Sequence, residues 1–313
     1  MQHRPDRPFS PLPSDPATDE ALDWFLRLRE DSTPATAQAF DRWRGQDAAH
    51  DRAFAAVQAT WGASALHLAS APAVPPVRRG WAVGVALAAM LALAAMIGPG
   101  VLLWMRSDYR TAAGESLVQT LPDGSSVTLN TASAIAIDFD QGRRDVSLLE
   151  GEAFFSVARD PQHPFIVTTR YGQIRVTGTQ FGVRLDGDGD LVLLREGHVR
   201  VTHDGDGQMA ELAPGDSVSL RPEGLSGVSN SGVAEGLAWL DGRIEVQDQT
   251  VARAVADLAR YRGGTVVFLP TAAKDRRVSG IFTTRDPDAG IRTLAASAGL
   301  SVRRVPGAGL ILY

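Results

Sequence analysis

The stretch that most constrains this chain is Trp81–Met105, WAVGVALAAMLALAAMIGPGVLLWM, which carries no charged residue. As a helix it would be about 37 Å long, enough to cross a hydrocarbon core of about 30 Å with some tilt. Trp81 and Trp104 stand at its two ends, where amphipathic rings favour the membrane interface. A buried core helix is the competing reading, but uncharged runs of this length are rare in soluble cores. Eighty residues precede the run, and its apolar core is too long for a cleaved signal peptide. The sequence therefore predicts a single transmembrane helix over 81–105. Within it, Gly98-Pro99-Gly100 removes a helix hydrogen bond and lowers helix propensity, making either a weak point or a tolerated kink. Arg78 and Arg79 before the span nearly balance Arg106 and Arg110 after it. The adjacent pair favours a cytoplasmic N-terminus.

The two flanks of the span differ in texture. Residues 1–17 are rich in proline and polar residues and read as a disordered tail. Residues 18–66 read as a small all-α domain of three amphipathic helices. The first, near Asp19–Glu30, presents Leu22, Phe25, Leu26 and Leu28. The second runs from Thr33-Pro34 to Gly45 with Ala37, Phe40 and Trp43, and the third follows Asp47 with His50, Ala53, Phe54, Val57 and Trp61. So short a domain cannot bury a generous core and should gain stability from a partner. Residues 67–80 are a linker into the membrane. Residues 108–221 alternate apolar and polar residues in short runs parted by Gly and Asp, the pattern of an all-β sandwich or barrel-like stack. Residues 222–235, PEGLSGVSNSGVAE, read as a flexible connector, and 236–313 as an α+β domain of order β-α-β-β-α-β-β.

Composition removes several chemistries. A formal charge of −5 and a pI near 5.7 give no reason to expect a nucleic-acid binder. There is no cysteine, which excludes disulfides, thiolate metal sites and cysteine nucleophiles, and Lys274 is the only lysine. DGDGD at Asp186–Asp190 begins like a calcium loop, but Leu191 stands where glycine is needed and Gly197 where the bidentate glutamate belongs. His163, His198 and His203 lack a close ligand spacing and read as isolated, solvated histidines. Thr271 and Lys274 share a nucleophile–lysine spacing, yet follow Pro270 in a turn with no glycines for an oxyanion hole. No phosphate loop or nucleophile elbow appears, and neither a cofactor nor a metal is expected. Trp24, Trp43 and Trp61 are either core or the wall of a partner groove. One motif resists the strand pattern around it. In RVTGTQFGV, Arg175–Val183, Gly178 interrupts residues that favour a strand. It marks a β-bulge or a reactive Gly-Thr pair.

With these parts in place, the chain resembles the FecR family of transmembrane anti-sigma regulators of cell-surface signalling. The likeness rests on ALDWFLRLRED and FDRWRGQDAAHDRAFAAVQATW in the helical block, and on LPDGSSVTLN, LLEGEAFFSVA, HPFIVTT, VTGTQFGV and REGHVRV in the β block. Ala48 departs from the family, where a proline commonly sits. VQDQTVARAVADLARYRGGTVVF and VSGIFTTRDPDAGIRTLA more loosely resemble the short STN-like domain shared by secretins and TonB-dependent transporters. The resemblance implies an inner-membrane, single-pass regulator with a cytoplasmic N-terminus and a periplasmic C-terminus. It implies that the helical block binds an extracytoplasmic-function sigma factor, with Trp24, Phe25, Leu28, Trp43, His50 and Trp61 as the expected contact residues. It implies a signal from the N-terminal signalling domain of an outer-membrane TonB-dependent transporter, typically for iron–siderophore uptake. Periplasmic and intramembrane proteases would then release the helical block, the second acting near Gly98-Pro99-Gly100. Some family members break their own chain at a Gly-Thr bond, and Gly178-Thr179 occupies the matching place. Such a protein is no turnover enzyme. The rival readings are a membrane-anchored periplasmic scaffold and a membrane-tethered hydrolase.

Overall fold

The computed structural model describes residues 16–30, 33–65, 105–140, 142–269, 271–305 and 309–313. The predicted span, with Gly98-Pro99-Gly100, lies outside that set except for Met105, and among the described residues no helix is long and apolar enough to cross a membrane.

Three helices form the N-terminal head. Helix α1 spans Pro16–Glu30, α2 Pro34–Arg44 and α3 Ala48–Ala65. α1 starts earlier than Asp19, so residues 16 and 17 belong to the head and not to a tail; proline suits the first helical turn, where its missing N–H is not needed. The Thr33 hydroxyl accepts from the Thr36 N–H and caps α2, and the Asp47 carboxylate accepts from the Ala49 N–H at 2.8 Å to start α3. α3 begins at Ala48 itself, so the missing family proline leaves this turn intact. Leu22, Phe40, Trp43, Phe54 and Val57, spaced for one helical face, are buried together.

After residue 105 the chain builds two seven-stranded sheets around one apolar core. The first strands are β1 (Tyr109–Arg110), β2 (Leu117–Thr120), β3 (Ser126–Leu129), β4 (Ala134–Asp138), β5 (Arg144–Glu150), β6 (Glu152–Ser156), β7 (Phe165–Thr168) and β8 (Gly172–Val176). Then follow β9 (Gln180–Asp186), β10 (Gly189–Glu196), β11 (Val199–His203), β12 (Met209–Leu212), β13 (Ser217–Arg221) and β14 (Gly224–Leu225). One sheet has the order β1-β4-β5-β7-β8-β11-β12 and the other β14-β13-β10-β9-β6-β3-β2. The β2–β3 hairpin is closed by Asp123, whose carboxylate accepts from the Ser125 N–H at 2.9 Å. Alternation decides which residues enter the core: in β8 it is Ile174 and Val176, in β11 Val199 and Val201. Phe155, Phe165 and Phe181 fill the centre, with Phe155 stacked on Phe181 at 5.2 Å. This order has a simple property. Strands β1–β8 and β9–β14 each own an unbroken block of both sheets, so the strands of the two halves pair only at β8–β11 and β6–β9.

The expected flexible connector is ordered. Within 222–235, β14 pairs with β13, and Ser229 exchanges two backbone hydrogen bonds with Ser217. Helix α4, Val233–Leu237, follows. Leu225 packs on the sandwich core and Leu237 on Phe154, Leu193 and Trp239. A few apolar anchors thus outweigh a Gly/Ser-rich composition.

The C-terminal domain has the expected order: β15 (Arg243–Thr250), α5 (Val251–Ala259), β16 (Thr265–Phe268), β17 (Arg277–Thr283), α6 (Pro287–Ser297), β18 (Val302–Val305) and β19 (Gly309–Leu312). Thr250 and Asp286 cap the two helices through Arg253 N–H and Ala289 N–H. α5 ends at Ala259, ahead of Gly263-Gly264, and just beyond it the Tyr261 hydroxyl accepts from Asn130 of the sandwich. The strands form two sheets, antiparallel β15-β17 and a mixed β16-β19-β18. The head lies against the second: Leu269, Val305 and Ile311 share its apolar cluster. Arg303 pairs with Asp23, and the Tyr313 hydroxyl donates to Asp19.

Candidate functional site

Gly178-Thr179 is neither mid-strand nor a β-bulge. β8 ends at Val176 and β9 begins at Gln180, and these strands belong to different sheets, so the pair forms the corner where the chain crosses the sandwich. Gly178 has φ +146°, a backbone region that disfavours side chains. A Cβ there would lie 2.9 Å from the Arg159 Cα. The carbonyls on either side are held: Thr177 O accepts from Asp160 N–H at 2.9 Å and Thr179 O from Val157 N–H at 3.0 Å. Thr179 is buried, and its hydroxyl donates to the His198 carbonyl at 3.0 Å.

The other histidines are accounted for elsewhere. His163 Nδ1 faces Asp160 at 2.9 Å, and that hydrogen bond holds the Asp160 carboxyl below the usual range. His203 is buried between Asp206 and the Arg221 carbonyl. The acidic turn is structural. Burial pushes the Asp186 carboxyl up, but the hydrogen bond from Arg253 and the charges of Arg184 and Arg253 outweigh it and hold it low. Among the described residues no group of three or more His, Cys, Asp or Glu is placed to hold a metal ion. The Thr271 hydroxyl caps a short 3-10 turn through Ala273 N–H, ahead of Lys274.

In the head, Trp43 is core, with its indole N–H donating to Glu20 at 2.6 Å and its ring stacked on His50 at 4.6 Å. Trp24 lies 5.9 Å from Phe40, and Phe25 6.4 Å from Phe54. Trp24, Phe25 and Leu28 remain half-buried at the edge of this cluster. The side chain of Trp61 lies outside the described residues.

Sequence reasoning missed the seam between sandwich and C-terminal domain. Arg260 donates to buried Glu152 at 2.8 Å, Asn130 joins Glu152 to the Tyr261 hydroxyl, and the Thr131 hydroxyl donates to the Arg260 carbonyl. Burial, reinforced by the Glu152 charge, pushes the Tyr261 phenol up to about 12. The partners across the seam stand 108 to 131 positions apart, so no local spacing announces them. Beside them lies a cleft of about 360 Å³. Arg184 Nε, Trp239 Nε1 and Gln249 Oε1 border it, buried and with no hydrogen-bond partner among the described residues.

Comparison with known proteins fits these modules. Residues 107–200 match the family model FecR protein, and residues 19–60 match the Domain of unknown function (DUF4880). No curated protein matches the chain. Two crystal structures of a candidate anti-sigma factor from Parabacteroides distasonis, at 2.50 and 1.65 Å resolution, are similar. Each is 27% identical with a TM-score of 0.58, and the alignment covers 66% of this chain and 97% of that one. Head and sandwich are thus two recognised modules joined in one polypeptide, an architecture of modular regulators. The chain carries a FecR domain at residues 107–200 behind a DUF4880 domain at residues 19–60.

Proposed function

We propose that this chain is a single-pass inner-membrane regulator whose cytoplasmic head binds an extracytoplasmic-function sigma factor. The observation that carries the reading is that the head does not cover its own apolar face. Leu269, Val305 and Ile311 of the last domain complete its cluster. A bilayer crossed at 81–105 would forbid that contact, because head and sheet would lie in different compartments. Both apolar faces would then be open, each to a partner of its own. The uncharged run outweighs the contact physically: burying it in a soluble core would require apolar cover on all sides, and a bilayer supplies that directly. The structural relative, a candidate anti-sigma factor, supports a sigma factor as the head's partner, met by Trp24, Phe25 and Leu28 at the cluster edge, with Trp43 and His50 behind them and Trp61 as a further contact.

In the periplasm, the STN-like C-terminal domain receives the signalling domain of a TonB-dependent transporter serving iron or siderophore uptake. Release follows by proteolysis in the periplasm and then in the membrane near Gly98-Pro99-Gly100, preceded by self-cleavage at Gly178-Thr179. The Thr179 hydroxyl attacks the Gly178 carbonyl carbon, the peptide C–N bond breaks, and the hydroxyl proton ends on the Thr179 nitrogen. Water then opens the ester to a Gly178 carboxylate and a free Thr179 hydroxyl. Thr179→Ala should leave one full-length band, and a variant still split at this bond would end the idea. The wider reading is tested by purifying the full chain from its own cells in mild detergent. Co-purification of one sigma factor, lost in Trp24→Ala/Phe25→Ala, is expected; its absence favours a periplasmic scaffold.

A further inference from the structure

Two of the turns that carry the chain between the sheets pack on one another. One is Gly178-Thr179, between β8 and β9; the other is Gly197-His198, between β10 and β11. We propose that the second turn is the positioning device for self-cleavage at the first, an inference that rests on the cleavage reading above. Gly197 has φ +93°, and a Cβ on it would lie 2.9 Å from Thr179 Oγ1, 3.0 Å from Gly178 O and 3.2 Å from Thr179 Cα. The nucleophile and the carbonyl oxygen of the breaking bond are therefore the atoms that a side chain at 197 would strike. The next residue contributes its carbonyl, since His198 O takes the Thr179 hydroxyl hydrogen at 3.0 Å.

The two contacts act together. The hydrogen bond fixes the rotation of the hydroxyl, so its lone pairs are not free to wander. The Arg159 backbone also packs against Gly178, where a Cβ would lie 2.9 Å from the Arg159 Cα. When Oγ1 adds to the Gly178 carbon, that carbon becomes tetrahedral and its oxygen must swing out of the peptide plane. With Arg159 packed on Gly178, the room for that movement is the space that Gly197 leaves empty. Gly197 is thus a positioning residue, and it touches the reacting atoms only by being absent from them.

The chain contains its own control. Gly215 has the same φ of +93°, but a Cβ there meets nothing within 4 Å. Gly197→Ala and Gly215→Ala therefore both place alanine at a φ that disfavours a side chain, and differ in the contact with the bond. The experiment uses the full chain in detergent. It follows the split at 178–179 by gel and mass spectrometry, with hydroxylamine added to trap the ester, and records each variant's melting temperature. Gly215→Ala should split at the wild-type rate. Gly197→Ala should be slower by about 100-fold, the scale of a misplacement near 1 Å, and should lose the hydroxylamine-sensitive ester. Should Gly197→Ala melt early, Gly197→Ala/Thr179→Ser decides: removing the γ-methyl gives the nucleophile room to turn. Recovery of about tenfold in rate marks positioning, and no recovery overturns it. A wild-type chain that never splits sinks the cleavage reading. A wild type that splits while Gly197→Ala keeps pace with Gly215→Ala sinks only this proposal.

Discussion

His203 shows how one residue can set a pH dependence for a whole edge of the sandwich. Its side chain is buried, and both ring nitrogens face acceptors: Nδ1 meets Asp206 Oδ1 at 2.8 Å and Nε2 meets the Arg221 carbonyl at 2.8 Å. Only the imidazolium donates at both nitrogens. The Asp206 hydrogen bond raises the His203 pKa, burial opposes it, and the Arg221 carbonyl and the charges of Asp206 and Asp204 add to the rise. A raised pKa in the folded state means the stabilisation is complete below the unfolded value and is lost as pH rises through the folded one. The expected outcome is a higher melting temperature at pH 6 than at pH 9, with the difference reduced in His203→Gln; equal slopes for both proteins would contradict it. The sequence read this histidine as isolated and solvated. Asp206 was visible three positions away, but the Arg221 carbonyl arrives from another strand, and no spacing rule reaches it.

At the scale of elements, local signals were legible and distant ones were not. Thr33, Asp47, Thr250 and Asp286 announce helix starts because a cap acts within a few residues. The β2–β3 hairpin is written in its own turn. What could not be read was which strands cross between sheets, so VTGTQFGV looked like one interrupted strand when it is a corner. Likewise the connector's composition hid β14 and α4, whose order comes from the few apolar side chains that dock elsewhere. The corner's location yields a prediction. A break at 178–179 leaves β1–β8 and β9–β14 joined by the β8–β11 and β6–β9 ladders and by a common core. The cleaved protein should elute as one species in native buffer and as two in denaturant. Two native peaks would show that the halves do not hold one another.

For the whole molecule, the decisive question is which side of the bilayer each module occupies. The chain has no cysteine, so single cysteines can report it. Met209 is 69% exposed on the sandwich, and Ala35 is exposed on α2. An impermeant maleimide applied to cells with a permeabilised outer membrane should label Met209→Cys at once, and Ala35→Cys only after lysis. Equal labelling would sink the single-span reading and make the contact of the head with Leu269, Val305 and Ile311 a feature of the working protein.

The division of the sandwich also has a mechanical side. An intact chain pulled between residue 105 and Tyr313 can stretch and unfold, but it cannot part. Once the corner is cut, the same tension is borne by hydrogen bonds, along four facing residue pairs at β8–β11 and five at β6–β9. The molecule becomes a coupling with a finite breaking load. In a single-molecule pull, the cut protein should come apart in one clean rupture at forces where the uncut one only lengthens.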